Sequence, residues 1–130
     1  MKIHLEDTGG RYLIRAYGPG HVTVNQTVCT RSLIISPERL IADWAPQTLH
    51  ELVAQHVADL MALSPEVVLL GTGRTLRFPG TEVMEALARA GIGHEFMDTG
   101  AACRTYNILT GEGRRVVAGL LIEPGGDQTS

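Results

Sequence analysis

Two uninterrupted apolar runs constrain the fold of this 130-residue chain more than any other feature. Residues 67–70 read Val-Val-Leu-Leu, and residues 116–122 form the longest apolar run. Strands that are apolar on both faces are typical of parallel sheets covered on both sides. Neither run approaches the roughly 18 apolar residues that a membrane-spanning helix needs. The side chains that we therefore expect to be buried are Val68, Leu69, Leu70, Val117, Leu120 and Leu121.

The second half of the chain alternates between helical and strand-like patterns. Apolar residues recur at helical spacing from residue 49 to residue 61, after Thr48 and Glu51, which have the spacing of a capping box. Two further helices are predicted at about residues 81–90 and 99–109, followed by strands at 93–97 and 115–122. Strand–helix–strand units place their strands in parallel with right-handed crossovers, so this half predicts a parallel βαβαβ unit.

The first third has shorter strands separated by turn residues. Strands are predicted at residues 11–17, 21–25 and 32–35, with a further edge strand at 3–5. Short turns favour antiparallel pairing. The fold class expected is α/β, a single domain spanning residues 1–130 with a mixed central sheet: antiparallel N-terminal strands and a parallel βαβαβ C-terminal part. Residues 124–130 are expected to form a flexible tail.

Charge and cysteine content exclude several classes of function. The net charge is −3, and the basic residues are scattered apart from Arg114 and Arg115, so no nucleic-acid partner is expected. Cys29 and Cys103 match neither a disulfide framework nor a CxxC metal pattern. The histidines lack acidic partners at ligand spacing, so no metal is expected. With no secretory signal at the N-terminus, the sequence predicts a cytoplasmic protein.

The loop Gly71-Thr72-Gly73-Arg74 follows the first parallel strand, at the sheet edge where ligands of α/β proteins usually bind. Two glycines let a backbone approach an anion, and Arg74 and Arg77 can neutralise it. The pattern is neither GxGxxG nor a P-loop, so no cofactor is predicted. A plain tight turn with solvated arginines remains the alternative.

The third predicted helix carries a strip of polar side chains. Asp98 and Thr99 can cap it, and past the caps Arg104 is its one charge. A polar strip on a helix poor in charge faces either a cleft or a partner, or else bonds neighbouring loops. Because parallel strands end at one edge, this helix start and the Gly71 loop should lie together. The candidate cleft residues are Gly71, Thr72, Gly73, Arg74, Asp98, Thr99, Cys103, Arg104 and Asn107.

Two single residues allow opposite interpretations. Cys103 lies one turn into the third helix, where the helix dipole can favour a thiolate and His94 is a nearby candidate base. Free cysteine is also a small buried hydrophobe. Trp44 precedes the first helix; it can pack over a core edge or anchor a protein interface.

Several blocks of the sequence, in order, resemble the Mth-type domain family. The likeness covers roughly residues 14–122 and rests on residues 32–37, Trp44, and residues 65–73, 91–99, 102–109 and 115–121. The resemblance implies a compact α/β fold with a mixed sheet. The family includes the adipogenesis-associated Mth-domain protein and a mitochondrial assembly factor for respiratory complex I, and it brings no accepted catalytic residues.

Two functions follow from these observations. The first is a non-enzymatic interaction or assembly-factor-like module with a protein partner. The second is a protein, in one version an enzyme, that binds a small anion or metabolite in a cleft between the Gly71 loop and the helix of residues 99–107. A deep pocket at that place favours the second, and an exposed apolar patch favours the first.

Overall fold

A computed structural model describes residues 10–123 of the chain. The strand predicted at residues 3–5 and the tail predicted at 124–130 lie outside the described residues. The first part contains five short strands: β1 Ile14–Gly18, β2 His21–Val24, β3 Thr27–Cys29, β4 Leu33–Ile35 and β5 Leu40–Ile41. The second part contains α1 Ala54–Met61, β6 Val67–Gly71, α2 Thr81–Ala90, β7 Gly93–Met97, α3 Thr99–Gly111 and β8 Val116–Leu120.

The strands form two sheets, which confirms the mixed α/β fold. Strands β1, β2 and β3 pair antiparallel as a separate sheet. The larger sheet has the order β5-β4-β8-β6-β7, in which β6 pairs parallel with both β7 and β8, and β4 pairs antiparallel with β8. The predicted βαβαβ unit is therefore confirmed. The antiparallel strands are divided between the two sheets. Strands β1 to β3, which are joined by tight turns, pair only with one another, whereas β4 and β5 belong to the larger sheet.

Successive side chains of the central strands enter two different cores. Leu69 and Leu120 point to the core that α3 forms with the small sheet, whereas Val68 and Leu70 point to the core under α1 and α2. This period of two explains why both strands are apolar throughout. All six side chains predicted to be buried are at most 2% exposed.

The capping box predicted at the start of the first helix is wrong. Residues Leu49–Glu51 form a separate 3-10 turn, and the α-helix begins at Ala54. The Glu51 carboxylate accepts from the backbone N–H of Gln47 at 2.8 Å rather than from Thr48. The chain is extended at Leu52, which is buried, so packing of this side chain interrupts the helical pattern.

Candidate functional site

The loop after β6 and the start of α3 are neighbours, as the parallel topology predicted. The backbone N–H of Thr99 donates to the carbonyl of Gly73 at 2.8 Å. In return, the N–H of Gly73 donates to the Thr99 hydroxyl at 2.9 Å. This reciprocal pair fixes the two segments side by side at the C-terminal edge of the sheet.

A cleft of about 300 Å³ opens beside this contact. Four of the predicted residues line it: Gly73, Arg74, Asp98 and Thr99. Its other walls are the β1–β2 hairpin at residues 17–22 and the chain at residues 121–123. The sequence showed the Gly-Pro-Gly turn of this hairpin, but no local signal indicates that the turn folds over the Gly73 loop.

The start of α3 offers few free donors to an anion. The Asp98 carboxylate accepts from the N–H of Ala101 at 2.8 Å, and the Asp98 carbonyl accepts from Ala102 at 2.9 Å. The N–H of Thr99 is already bonded to Gly73. Asp98 is thus used as an N-cap, and its negative charge stands at the cleft wall.

Both glycines of the loop allow other parts of the protein to pack closely against the loop backbone. A Cβ at Gly71 would lie 3.0 Å from Leu120 and from Thr99. Gly73 has φ +109°, a conformation that side chains rarely adopt, and a Cβ there would lie 2.8 Å from the Glu123 carboxyl carbon. The interpretation of these glycines as a cradle for a bound anion therefore has a competing structural explanation.

The rest of the loop is a turn held by its own bonds. The buried hydroxyl of Thr72 donates to the carbonyl of Thr75 at 2.8 Å and accepts from the N–H of Arg77 at 3.0 Å. The Arg77 guanidinium pairs with Glu123 at 2.6 Å. Of the two arginines predicted to meet an anion, Arg74 is the one that lines the cleft.

The polar strip of α3 bonds neighbouring chain segments, and beyond Thr99 it does not line the cleft. The Thr99 hydroxyl donates to the carbonyl of Leu121 at 2.7 Å, and the Tyr106 hydroxyl donates to the carbonyl of Tyr12 at 2.7 Å. The Asn107 amide accepts from the N–H of Ile14 at 3.0 Å and donates to its carbonyl at 2.7 Å. Placing Asn107 in the cleft was wrong, because its amide completes the edge of β1.

Cys103 is also outside the cleft. Its side chain is 1% exposed in the core between α3 and the sheets. Burial raises the pKa of its thiol to about 12, and the nearby Arg104 opposes this only in part. His94 lies on the other face of the large sheet, beside Leu70 and Phe96. The structure therefore contradicts a Cys103–His94 pair and places Cys103 as a buried hydrophobe.

Arg104 lies on the surface, away from the cleft lining. Its guanidinium donates to the Tyr17 hydroxyl and lies 5.8 Å from the centre of that ring. The hydrogen bond to the hydroxyl is the main cause that raises the pKa of Arg104. Arg104 thus holds the hairpin side chain that closes over Gly100, where a Cβ would come within 2.9 Å of the Tyr17 ring.

Trp44 packs inside the molecule and is 3% exposed. Its indole N–H donates to Asp59 at 3.0 Å, and its ring lies so close to Gly119 that a Cβ there would meet it at 2.7 Å. The alternative in which Trp44 anchors a partner does not fit this position, because the side chain is covered by its own protein.

A different group of apolar side chains reaches the surface. Phe78 is 63% exposed and meets Phe96 edge-to-face, with 5.6 Å between ring centres. Val53 is 41% exposed and lines a concavity of about 370 Å³ together with Phe78. We call Val53, Phe78 and Phe96 the Phe78 patch. No signal in the sequence indicates this patch, because an isolated loop phenylalanine has no periodic pattern that shows whether it is covered.

Two further properties concern residues 10–123. No three His, Cys, Asp or Glu side chains in this range lie close enough together to hold a metal ion. No helix in the same range is long and apolar enough to cross a membrane.

Comparison with known proteins identifies the family. The family described as "Protein of unknown function (DUF498/DUF598)" matches residues 14–121. The chain belongs to this family. It is 34% identical to a Bordetella pertussis protein whose solution structure is described as a Mth938-like domain, with a TM-score of 0.78 over 95% of this chain and 94% of that one. The predicted resemblance to Mth-type domains is confirmed.

Two relatives of known name are similar over most of the chain. The chain is 31% identical to NADH dehydrogenase (ubiquinone) 1 alpha subcomplex assembly factor 3 of Danio rerio, over 98% of this chain and 74% of that protein. It is 35% identical to the "13 kDa major membrane protein" of Francisella tularensis subsp. holarctica (strain LVS), over 89% of this chain and 95% of that protein. Because one relative is named a membrane protein, the cytoplasmic location stays a prediction.

Proposed function

We propose that this member of the family is an assembly-factor-like module that binds a partner protein and catalyses no reaction of its own. Homology to complex I assembly factor 3 supports such a role at the level of the family. The candidate chemical groups of α3 support it as well, since Cys103, Tyr106 and Asn107 are used in packing and internal hydrogen bonds.

The observation that carries the proposal is the exposure of Phe78. A phenylalanine that is 63% exposed, with Phe96 and Val53 beside it, gains hydrophobic free energy when a partner covers it. Aromatic side chains are common at the centres of protein interfaces. The cytoplasm remains the location that we propose for this interaction.

Affinity purification from the native cells tests the proposal. The tagged chain should retain a partner that is reduced on the order of tenfold when Phe78→Ser removes the aromatic anchor, the effect typical of an interface hot spot. Ile108→Ser is the matched control, because Ile108 is 61% exposed on α3. A partner set that is the same for both variants and for the native chain would count against the proposal.

The cleft favours a second candidate function, the binding of a small anion or metabolite. Arg74 and His21 line the same cleft of about 300 Å³, a volume at the lower end for ligand pockets. Glu123 and Asp98 line it too, so a ligand that carries both a negative and a positive group would fit its charges best. Thermal shift with small carboxylates, phosphates and amino acids should show a stabilising ligand that Arg74→Ala loses and Arg89→Ala keeps. If no compound stabilises the native chain, this candidate fails.

A further inference from the structure

Strand β7 forms one edge of the large sheet. The N–H of Thr72 donates to the carbonyl of Met97 at 2.8 Å, which places the Met97 carbonyl on the β6 side. Because the N–H and C=O of one residue point to the same side and neighbours alternate, the backbone groups of His94 and Phe96 point outward. In the part of the chain that the structure describes, β6 is the one strand that pairs with β7.

The other edge strands of residues 10–123 offer less to a partner. Strand β5 has two residues and β3 has three. Strand β1 has an irregular register after Ile14, and Asn107 already bonds both backbone groups of Ile14. Strand β7 has five residues in unbroken register and contains no proline. Open edges of this kind readily pair with another extended chain.

The two faces beside the β7 edge differ in chemistry. On the face of α1 and α2, Phe96 contacts Phe78 and lies 5.5 Å from the His94 ring. On the opposite face, Glu95 is exposed and forms no salt bridge with any described residue. A strand added at this edge would place one side chain beside Phe96 and the next beside Glu95, because strand side chains alternate between faces.

We propose that β7 binds an extended segment of a partner protein as a sixth strand of the large sheet. The segment carries an apolar side chain opposite Phe96, and Phe78 packs against this side chain. It carries a lysine or arginine opposite Glu95. This inference rests on the proposed function and gives the mode by which the partner docks. The backbone bonds of His94 and Phe96 hold the segment, and the two faces select its sequence.

The charge of Glu95 favours a different protein over a second copy of this chain. Antiparallel pairing of two β7 strands along their whole length would place Glu95 opposite the Glu95 of the other copy. Like charges directly opposite each other destabilise a strand pair. A segment with a basic residue at that position turns the same site into an attractive contact.

Fluorescence anisotropy with labelled ten-residue peptides tests the docking mode. The first peptide alternates valine and arginine, and the second has glutamate in place of arginine. We expect the arginine peptide to bind the native chain about tenfold more tightly than the glutamate peptide, and Glu95→Lys to reverse this preference. Glu112→Lys changes the net charge equally at another exposed glutamate and should keep the native preference.

A second pair of variants tests the backbone contact. His94→Pro removes the outward N–H and spares the residues that face β6, so it should weaken binding of the arginine peptide by about tenfold. His94→Val keeps that N–H and should bind within about twofold of the native chain. If His94→Pro does not fold, an arginine peptide whose backbone nitrogens are methylated replaces it and should show the same loss against the native chain.

Three results would overturn the docking mode. One is equal loss of binding in Glu95→Lys and Glu112→Lys, which would indicate attraction by net charge alone. Another is unchanged binding by the methylated peptide. The last is a dimer in light scattering that His94→Pro dissociates, since the occupant would then be a second copy. If Phe78→Ser abolishes partner capture while the edge variants do not, the proposed function stands and this docking mode fails.

Discussion

Within residues 10–123, the two five-residue edge strands, β1 and β7, differ in what lies beside their outward backbone groups. At β1, the side chain of Asn107 bonds the outward N–H and carbonyl of Ile14, and Tyr106 bonds the carbonyl of Tyr12, two residues before it. At β7, the outward groups of His94 and Phe96 have no strand beside them within residues 10–123. One edge is completed by a helix of the same chain, and the other has no neighbouring strand among the described residues.

This difference separates residues that serve the architecture from residues that are available to a partner. Asn107 of α3 looks functional in the sequence, but its amide takes the place of a strand neighbour at β1 and so belongs to the architecture. Phe78 belongs to a residue type that is usually buried, yet it is exposed. The surface that we propose for a partner is therefore apolar, and it lies beside the open edge of β7.

The largest expected loss of stability comes from the buried side of the sheet next to β7. Leu70 is 2% exposed and lines a small internal space together with Phe96. Leu70→Ala should lower the free energy of unfolding by roughly 2–5 kcal/mol, because it removes packed methyl groups and leaves a cavity. Urea denaturation measures this, and a loss below about 1 kcal/mol would show that this strand is not packed as described.

The next largest loss of stability is expected at the edge of β1, which Asn107 completes. Asn107→Ala should lower the free energy of unfolding by about 2–3 kcal/mol, since it leaves the N–H and carbonyl of Ile14 without their partner. Ile108→Ala, at the exposed neighbouring position, is the control and should change stability by less than about 0.5 kcal/mol. Equal stability of the two variants would remove the distinction between the closed and the open edge.

The packing of α3 also predicts a dependence on pH. Burial raises the pKa of Cys103 from 9.0 to about 12, so the folded state keeps the thiol protonated while the unfolded chain releases its proton. The stability that the protonated thiol of Cys103 contributes is fully present below pH 9 and is lost as the pH rises from there towards 12. Over this range the free energy of unfolding falls by at most about 1.4 kcal/mol per pH unit.

Denaturation between pH 8 and pH 11 measures this dependence. The free energy of unfolding should fall more steeply with pH in the native chain than in Cys103→Ala, because the cavity cost of the substitution does not depend on pH. Tyr106, whose pKa burial also raises, is present in both proteins and cancels in the difference. Parallel curves would mean that Cys103 is not desolvated in the folded state.

The smallest expected effect lies at the open edge. Phe78→Ala should change the free energy of unfolding by less than about 0.5 kcal/mol, because the exposed ring loses little contact with the protein. Thermal denaturation measures this. A loss above about 2 kcal/mol would make Phe78 a structural residue and would weaken the contrast between the two edges.

Much of the fold could be predicted because its signals are local. The apolar runs around Leu70 and Val117 indicated central strands, and Gly91 ends α2 with φ +70°, the left-handed conformation typical of a glycine at a helix end. The first helix was misplaced, because the apolar spacing continues through Leu52 while the backbone does not. Burial of that side chain in the core outweighs the local helical preference.

The candidate site could be predicted only in part. Gly73 and Thr99 lie together because each follows a parallel strand of the same sheet, a consequence of topology that alternation in the sequence reveals. Which side of α3 faces the cleft could not be predicted, since it depends on how the small sheet packs against the helix. That packing buries Cys103 and uses Asn107 at the edge of β1.

The sequence by itself determined the class of fold, the parallel βαβαβ unit and the buried residues of its two central strands, because periodic apolar spacing is a local property of the chain. The tertiary structure alone decided which polar groups form internal hydrogen bonds and that β7 has an unpaired edge among the described residues. A hydrogen bond such as that from Ile14 to Asn107 joins residues 93 positions apart, and no local pattern encodes it. The exposure of Phe78 is likewise set by what the rest of the chain leaves uncovered.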